Sequence, residues 1–268
     1  MRRHWKRHGR FPNIILPKTF NEKVLYRVLF DRRSLLTRIQ DKLAVRSYVD
    51  ERLGPSILPE LYHVTIDPDT IPFDKLPQKF VIKPTHGSGW IQIVTDRARL
   101  DLAALAKTCR DWLSWNYYEA SGEWCYKNIP PCVILEQFID DGTGNVPDDY
   151  KVFVFDGVVE MVQVDTGRFT EHRRGLYSPN WERLPVLLEY GDLTRDVPRP
   201  AHLAEMIAAA EKLGKGLDFI RADFYDTPDR LYFGELTTYP GGGLDRFHPA
   251  QFDSYLGSRW KLSAVRRG

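Results

Sequence analysis

The chain has 268 residues, enough for one large domain or two smaller ones. Hydrophobic residues make up 43% and aromatics 13%, which excludes wholesale disorder and calls for a packed core. With 38 basic against 36 acidic residues the formal net charge is +2, too balanced for a surface devoted to nucleic acid.

The ends are more basic than the whole. Arg2, Arg3, Lys6, Arg7 and Arg10 crowd the start, and Arg259, Lys261, Arg266 and Arg267 crowd the finish. Such tails are either solvated and frayed or drawn to an anionic partner, such as a lipid-linked or acidic sugar acceptor. Only Ile14, Ile15 and Leu16 precede Pro17, so no signal-type apolar core follows the basic start. No apolar run approaches the ~20 residues of a membrane span. Cys109, Cys125 and Cys132 are odd in number and lack metal-type spacing, which favours free thiols in a reducing compartment. The expectation is a soluble, cytoplasmic protein.

Residues 1–54 read as a basic arm followed by helices. Leu25, Val28, Leu29 and Leu36 fit one helical stripe over residues 20–40. Asp41 is placed to cap a second helix, which Gly54 and Pro55 stop. Lys42 falls in its first turn, where a cation opposes the helix dipole, and this misfit hints at a role elsewhere. Residues 55–77 are rich in Pro and Asp and read as an extended link.

Residues 79–83 form a short apolar strand ending in Lys83, and residues 91–94 return as a second strand. Between them, Gly87, Ser88 and Gly89 could close main-chain amides over phosphate oxygens, because glycine permits close approach. An ordinary hairpin turn fits the same residues. Residues 100–115 are helical. Residues 132–137 form a third strand, which runs into Glu136, Gln137, Phe138 and Ile139. Exposed main-chain groups there could bond an adenine edge, and Asp140 or Asp141 could take ribose hydroxyls; a strand end with a solvated acidic turn is the plain alternative.

Residues 151–156 and 158–164 make a hairpin around Asp156-Gly157. Lys151 could reach a phosphate or simply pair with Asp149. Residues 166–180 read as a basic loop, and residues 200–213 as an amphipathic helix. The last hairpin spans residues 217–238 around Asp226-Thr227-Pro228-Asp229. A turn centred on Thr227 and Pro228 sets Asp223 opposite Phe233, with Glu235 its diagonal neighbour on the same face, roughly 7–8 Å away. Two such carboxylates repel unless a cation lies between them, and oxygen ligands suit Mg²⁺. Arg221 and Thr237 share that face, and a Gly-rich turn follows.

The chain lacks a Walker A loop, a G-x-G-x-x-G fingerprint, kinase signatures, a G-x-S-x-G elbow and a histidine metal cluster. The ordered segments FVIKPTHGSGW, VILEQFIDD, DYKVFVFDG, FIRADFY and YFGELTTYPGGG, preceded by FNEKVLYRVLFD and DKLAVRSYV, closely resemble the TupA-like (teichuronopeptide-biosynthesis) ATP-grasp enzymes of bacterial cell-surface polysaccharide pathways. The resemblance covers about residues 19–256. It implies an α+β, ATP-grasp fold whose two subdomains clamp ATP, without the usual Rossmann-like domain ahead of them. The division expected is a helical segment over 1–54, a small subdomain over 55–139 and a large one over 140–268.

By the same resemblance, Lys83 lies by the α-phosphate, and His86, Gly87, Ser88, Gly89 and Trp90 form the loop over the β- and γ-phosphates. Glu136, Gln137, Phe138 and Ile139 form the adenine hinge, with Asp140 or Asp141 near ribose. Lys151 is a second phosphate contact, Arg221 faces the transferred phosphoryl group, and Asp223, Glu235 and Thr237 hold Mg²⁺. Thr237 stands where many ATP-grasp proteins carry Asn, which leaves a second Mg²⁺ less secure. The implied chemistry is ATP-dependent ligation of a carboxylate to an amine through an acyl phosphate, releasing ADP and phosphate. The substrates implied are a sugar acid or poly-acid and an amino acid or amine, in polysaccharide or capsule biosynthesis and in contact with membrane-linked intermediates. Arg168, Arg173 and Arg174 are candidates for the acceptor carboxylate, since guanidinium binds carboxylates bidentately. Two other classes stay open: a glycosyltransferase using Asp67-Pro68-Asp69 as its metal motif, and a non-catalytic ATP-binding protein.

Overall fold

A computed structural model of the chain describes residues 1–167, 171–193 and 196–262. The basic start forms a short helix, α1 (Arg2–His8). The single stripe expected over residues 20–40 is split into α2 (Phe20–Phe30) and α3 (Ser34–Gln40). α2 opens on a reciprocal capping box, with Thr19 Oγ1 accepting from the Glu22 amide and Glu22 Oε2 from the Thr19 amide. It ends where the Asp31 side chain accepts from the Arg33 amide and turns the chain. Asp41 caps as expected, its Oδ1 accepting from the Leu43 and Ala44 amides, but α4 starts only at Ala44 (Ala44–Leu53). Lys42 therefore precedes the helix instead of lying in its first turn.

The link expected over residues 55–77 contains a strand, β1 (Leu61–Thr65). Its half-exposed residues and flanking prolines hide it from a pattern search. It edges an antiparallel sheet with β2 (Phe80–Pro84), β3 (Gln92–Val94) and β4 (Val133–Gln137), in the order β1-β4-β2-β3. α5 (Leu102–Ser114) covers this sheet, packing Leu105 and Cys109 onto Phe80, Ile82, Val133 and Leu135. The short α6 (Tyr117–Ser121) leads back towards β4.

The second sheet contains β5 (Asp149–Phe155), β6 (Val158–Thr166) and β7 (Arg173–Tyr177). After a two-residue strand β8 (Leu187–Leu188) come β9 (Gly191–Asp192), the helix α7 (Leu203–Gly214), β10 (Phe219–Asp226) and β11 (Leu231–Thr237). A last strand, β12 (Phe247–His248), pairs with β8, and α8 (Gln251–Arg259) follows. The sheet order is β11-β10-β5-β6-β7-β9. β7 replaces the loop expected over residues 166–180, because Gly175, Leu176 and Tyr177 are buried behind the two arginines that mask them. Asp156 and Gly157 both have positive φ, 51° and 79°, as a two-residue hairpin turn requires.

Period-two alternation sorts β5 and β10 into two faces. Val152, Val154, Ile220 and Ala222 point to one, where α7 packs with Met206, Ala210 and Leu213. The other face is divided along its length. At one end Phe153, Phe155 and Phe219 form an aromatic cluster with Phe20 of α2 and Trp260. At the other end stand Asp149, Lys151, Arg221 and Asp223. Residues 20–53 share the core of the second sheet through Phe20, Val24, Leu36, Val45 and Val49, so the helical segment belongs with the large subdomain.

Arg27 locks this arrangement. It is fully buried, bonds Asp218 Oδ1 at 2.7 Å and the Phe219 carbonyl at 3.0 Å, and lies 4.4 Å from the Trp260 ring. Trp260 Nε1 and Arg33 also donate to Asp218. Burial raises the Asp218 pKa, but Arg27, Trp260 and Arg33 outweigh it and hold the group down at about 2. Its contribution to stability is therefore complete above about pH 4 and lost as pH falls towards 2. Asp218→Ala, which leaves Arg27 buried with weaker partners, should cost about 3–5 kcal/mol and flatten acid unfolding in that window, read by thermal melts against pH.

Candidate active site

The carboxylate pair is made by a bulge. Asp226 faces Leu231, Tyr225 faces Tyr232 and Phe224 faces Phe233, so a regular ladder would put Gly234 opposite Asp223 and turn Glu235 to the other side. The register shifts there, and Asp223 instead pairs with Glu235 and Arg221 with Thr237. The sequence reading put both acids on one face, but by a turn register one residue off; the extra residue does the work. Gly234 suits it, since a Cβ there would stand 3.1 Å from the Asp223 carbonyl oxygen. The acids are direct neighbours, not diagonal ones.

Arg221 lies across the pair. Its Nε and Nη2 bond the two Asp223 oxygens at 2.7 and 2.6 Å, and Nη2 also reaches Glu235 Oε1 at 3.3 Å and Thr237 Oγ1 at 3.0 Å. Lys151, opposite Asp223 on β5, bonds Asp223 Oδ2 at 3.1 Å and Asp149 Oδ2 at 2.9 Å, with Asp165 Oδ2 at 3.9 Å. Burial opposes ionisation of Asp223, but Arg221 and Lys151 prevail and lower its pKa. Burial likewise disfavours the Lys151 charge, yet Asp223 and Asp149 raise its pKa. Counting Arg174, which bonds Asp165 at 2.5 and 3.0 Å, three cations here face four carboxylates: Asp149, Asp165, Asp223 and Glu235. Among the described residues no three His, Cys, Asp or Glu converge as a metal cage. Two carboxylates, one hydroxyl and a surplus negative charge fit Mg²⁺, which takes one or two carboxylates and fills its shell with water and phosphate oxygens.

The small sheet faces this hairpin across a cleft. Val81, Ile91, Ile93, Phe138, Ile139 and Phe233 line an apolar slot with Lys83 and Asp149 at its polar end. Phe138 and Ile139 thus line the slot just past the end of β4. Gln137 ties the two sheets instead, donating to the Tyr232 hydroxyl at 3.2 Å. The Glu136 carboxylate is the counter-ion of Lys83, with Arg46 3.7 Å away. Asp141 closes its own loop by accepting from the Thr143 and Asn145 amides. Ser88 and Gly89 are exposed at the tip of the glycine loop, whereas His86 is buried and holds the Trp112 carbonyl of α5 at 2.9 Å. Burial lowers the His86 pKa, so its ring is a neutral anchor for the loop. Trp90 covers Gly87 and meets His86, Trp115 and Tyr117 edge-on, which makes it part of that anchor too.

The three arginines divide. Arg168 lies outside the described residues. Arg174 shares the face of Asp165 and Lys151, while Arg173, its neighbour on β7, projects from the opposite face towards Glu171 and the Asp192 carbonyl. Asp67 and Asp69 are spent locally: Asp67 caps the Asp69 amide and Asp69 pairs with Arg110.

Lys42 is a site residue not counted from sequence. Its amide donates to the Thr85 carbonyl at 3.3 Å and its Nζ to the Gly87 carbonyl, so it spans the base of the glycine loop. It lines the same inner cleft as Lys83, Glu136 and Glu235. Burial, against the pull of Glu235, lowers its pKa to about 8. The oddly placed charge after Asp41 was the signal.

A glycine loop, two lysines, a hinge slot and a carboxylate hairpin, held between two β-sheets, define a nucleotide-grasping architecture. The chain belongs to the TupA-like ATP-grasp family, whose profile matches residues 22–261, and its fold is ATP-grasp. No curated protein matches it in sequence. Among solved structures it is similar to a D-alanine--D-alanine ligase from Bacillus anthracis complexed with ATP (19% identity, 77% of this chain and 58% of that one, TM-score 0.47). It is also similar to the ATP-grasp ligase PsnB complexed with minimal precursor (14%, 78% and 56%, 0.45). A third is the ADP complex of purK, N5-carboxyaminoimidazole ribonucleotide synthetase (15%, 77% and 46%, 0.48). The chain spans between 46% and 58% of the length of these proteins.

Lys151→Met should destabilise the fold by about 3–5 kcal/mol, because three buried carboxylates lose their shared cation. Adding Asp165→Asn should recover part of that loss, as measured by urea titration.

Proposed function

We propose that this chain is an ATP-dependent carboxylate–amine ligase. The observation that carries the reading is the bulged hairpin, which sets Asp223 and Glu235 side by side beneath Arg221 and across a cleft from Lys42 and Lys83. These three cations, with Lys151 beside Asp223 as a fourth, suit a polyphosphate, whose reaction needs charge neutralisation and positioning more than a nucleophilic side chain. ATP would lie with its base in the slot by Phe138 and Ile139, and with its phosphates between the glycine loop and Lys151. Mg²⁺, held by Asp223 and Glu235 with Thr237 alongside, would supply the remaining positive charge. A substrate carboxylate attacks the γ-phosphorus, the bond to ADP breaks, and an acyl phosphate forms. An amine then attacks the acyl carbon and phosphate leaves, forming the amide.

Arg174 is our candidate for the acceptor carboxylate, since it shares the face of Lys151; Arg173 is not carried forward. We assign the acceptor to sugar acids or poly-acids of the bacterial cell surface, a choice that rests on the family resemblance. The glycosyltransferase alternative is weakened by the local use of Asp67 and Asp69.

A phosphate-release screen of sugar acids against amino acids with Mg·ATP tests the reading. The active pair should give a product whose mass is that of the two substrates less one water. Asp223→Asn and Glu235→Gln should each abolish turnover, and ADP formation persisting in either would remove the metal assignment. Because Lys42 carries its charge only below about pH 8, the KM for ATP should rise as pH passes that value. Lys42→Met should raise KM at all pH and remove the step.

A further inference from the structure

A second cavity, of about 490 Å³, lies between α1, α2, α6 and the turn Pro240–Gly243. Its size is that of small-molecule sites, roughly 300–1,000 Å³. Its floor is unusual. Gly241, Gly242 and Gly243 have φ of 55°, 59° and 69°, three successive left-handed residues that only glycine adopts without strain. The turn thus presents bare main chain to the cavity. It also begins directly beyond the metal hairpin: Gly241 is four residues past Thr237, at most about 14 Å of chain.

The cavity holds a carboxylate, Glu123, that accepts no hydrogen bond among the described residues. Glu123 is half-buried, its Oε1 would stand 3.6 Å from a Cβ on Gly242, and no hydrogen bond or close ion pair meets its carboxylate among the described residues. Arg3 stands at the rim, anchored to the Ala120 carbonyl at 3.2 Å. His4 is buried in the wall with its Nε2 unpartnered. Tyr117 lines the cavity, lies within hydrogen-bonding reach of Ser88 in the glycine loop, and shares with Tyr126 the electrostatic fields of both Glu123 and Glu235. The two tyrosine rings lie 4.6 Å apart, and the Tyr126 hydroxyl accepts at 2.7 Å from Gln40, whose Oε1 holds Thr238 at the end of the hairpin.

We propose that this cavity binds the amine co-substrate as a zwitterionic α-amino acid, with its ammonium on Glu123 and its carboxylate on Arg3. An acid and a guanidinium on one cavity whose other walls are largely apolar match the two charges of that class, whereas an amine without a carboxylate would leave Arg3 unused. The assignment rests on the ligase reading for its chemistry. Glu123 takes one proton from the ammonium; the freed amine attacks the acyl carbon; the C–N bond forms as the C–O bond to phosphate breaks; and the amine's second proton leaves with phosphate. Burial holds Glu123 up at about 7, with Arg3 pulling it down, so it can accept a proton near neutrality.

Calorimetric titration of the proteinogenic amino acids into the full chain, with and without Mg·AMPPNP, tests this directly. At least one should bind, while its deaminated acid and its amino alcohol should not. Glu123→Gln and Arg3→Met should each weaken binding by roughly tenfold or more. Wild-type affinity should rise from about pH 6 to about pH 8 as Glu123 ionises, and Glu123→Gln should flatten that rise. Among the described residues, the groups around Glu123 that titrate or carry charge are the Met1 α-ammonium, Arg3, His4, Tyr117 and Tyr126. The thermal midpoint of Glu123→Gln should not fall, which separates a binding defect from misfolding. Absence of amino-acid binding by the wild type, or equal binding by Glu123→Gln, overturns the proposal. The assay needs no turnover, so binding without ADP formation in any mixture would sink the ligase reading and leave the cavity assignment standing.

Discussion

A one-residue bulge governs the chemistry of this fold. Gly234 rotates the end of β11 so that Glu235 meets Asp223 instead of turning to the far side of the sheet, where Ala222 and Leu236 are buried. Once the two acids are adjacent, the surroundings follow from the cost of burying charge. Arg221 must bridge them, Lys151 must balance Asp223 from β5, and Asp149 and Asp165 must in turn balance Lys151. Each member is affordable only because the others are present, so the cluster is a unit and not a set of independent pairs.

The N-terminal helices are part of that unit. α2 carries Arg27 beneath the start of β10, and the turn between α3 and α4 delivers Lys42 to the glycine loop. The apolar stripe of the helical segment covers the second sheet, so the helices and that sheet share one core. Phe20 fits among Phe153, Phe155 and Phe219, and Tyr48 reaches the Leu213 carbonyl of α7 at 2.8 Å.

Much of this was legible in the chain. Asp156-Gly157 announced its hairpin, and the alternation around Asp223 and Glu235 announced theirs. The end of β2 at Lys83 and the glycine loop after it were also readable. The failures have distinct causes. β1 and β7 are short and partly exposed, and β7 opens on two arginines, so periodicity is silent there. The bulge at Gly234 is invisible because a glycine in a strand signals irregularity without its register. The roles of Glu136, Asp141, His86 and Trp90 turn on side-chain direction. Glu136 was read for its main chain, yet its carboxylate serves Lys83, and His86 was read as a ligand contact, yet it bonds the Trp112 carbonyl. Arg173 and Arg174 looked equivalent as a pair of basic residues; a strand places them on opposite sides.

The divided face of β5 and β10 has a consequence for long-range attraction. Phenylalanine and tryptophan rings wall off one flank of Lys151 and Arg221, and hydrocarbon from α7 backs the sheet behind them. Low-polarisability matter on those sides screens poorly, so the field of a cluster whose four carboxylates outnumber its three cations leaves through the open mouth between the sheets. An approaching divalent cation would feel a beam and not a halo, and a chain that is close to neutral overall can still draw one in from a single direction.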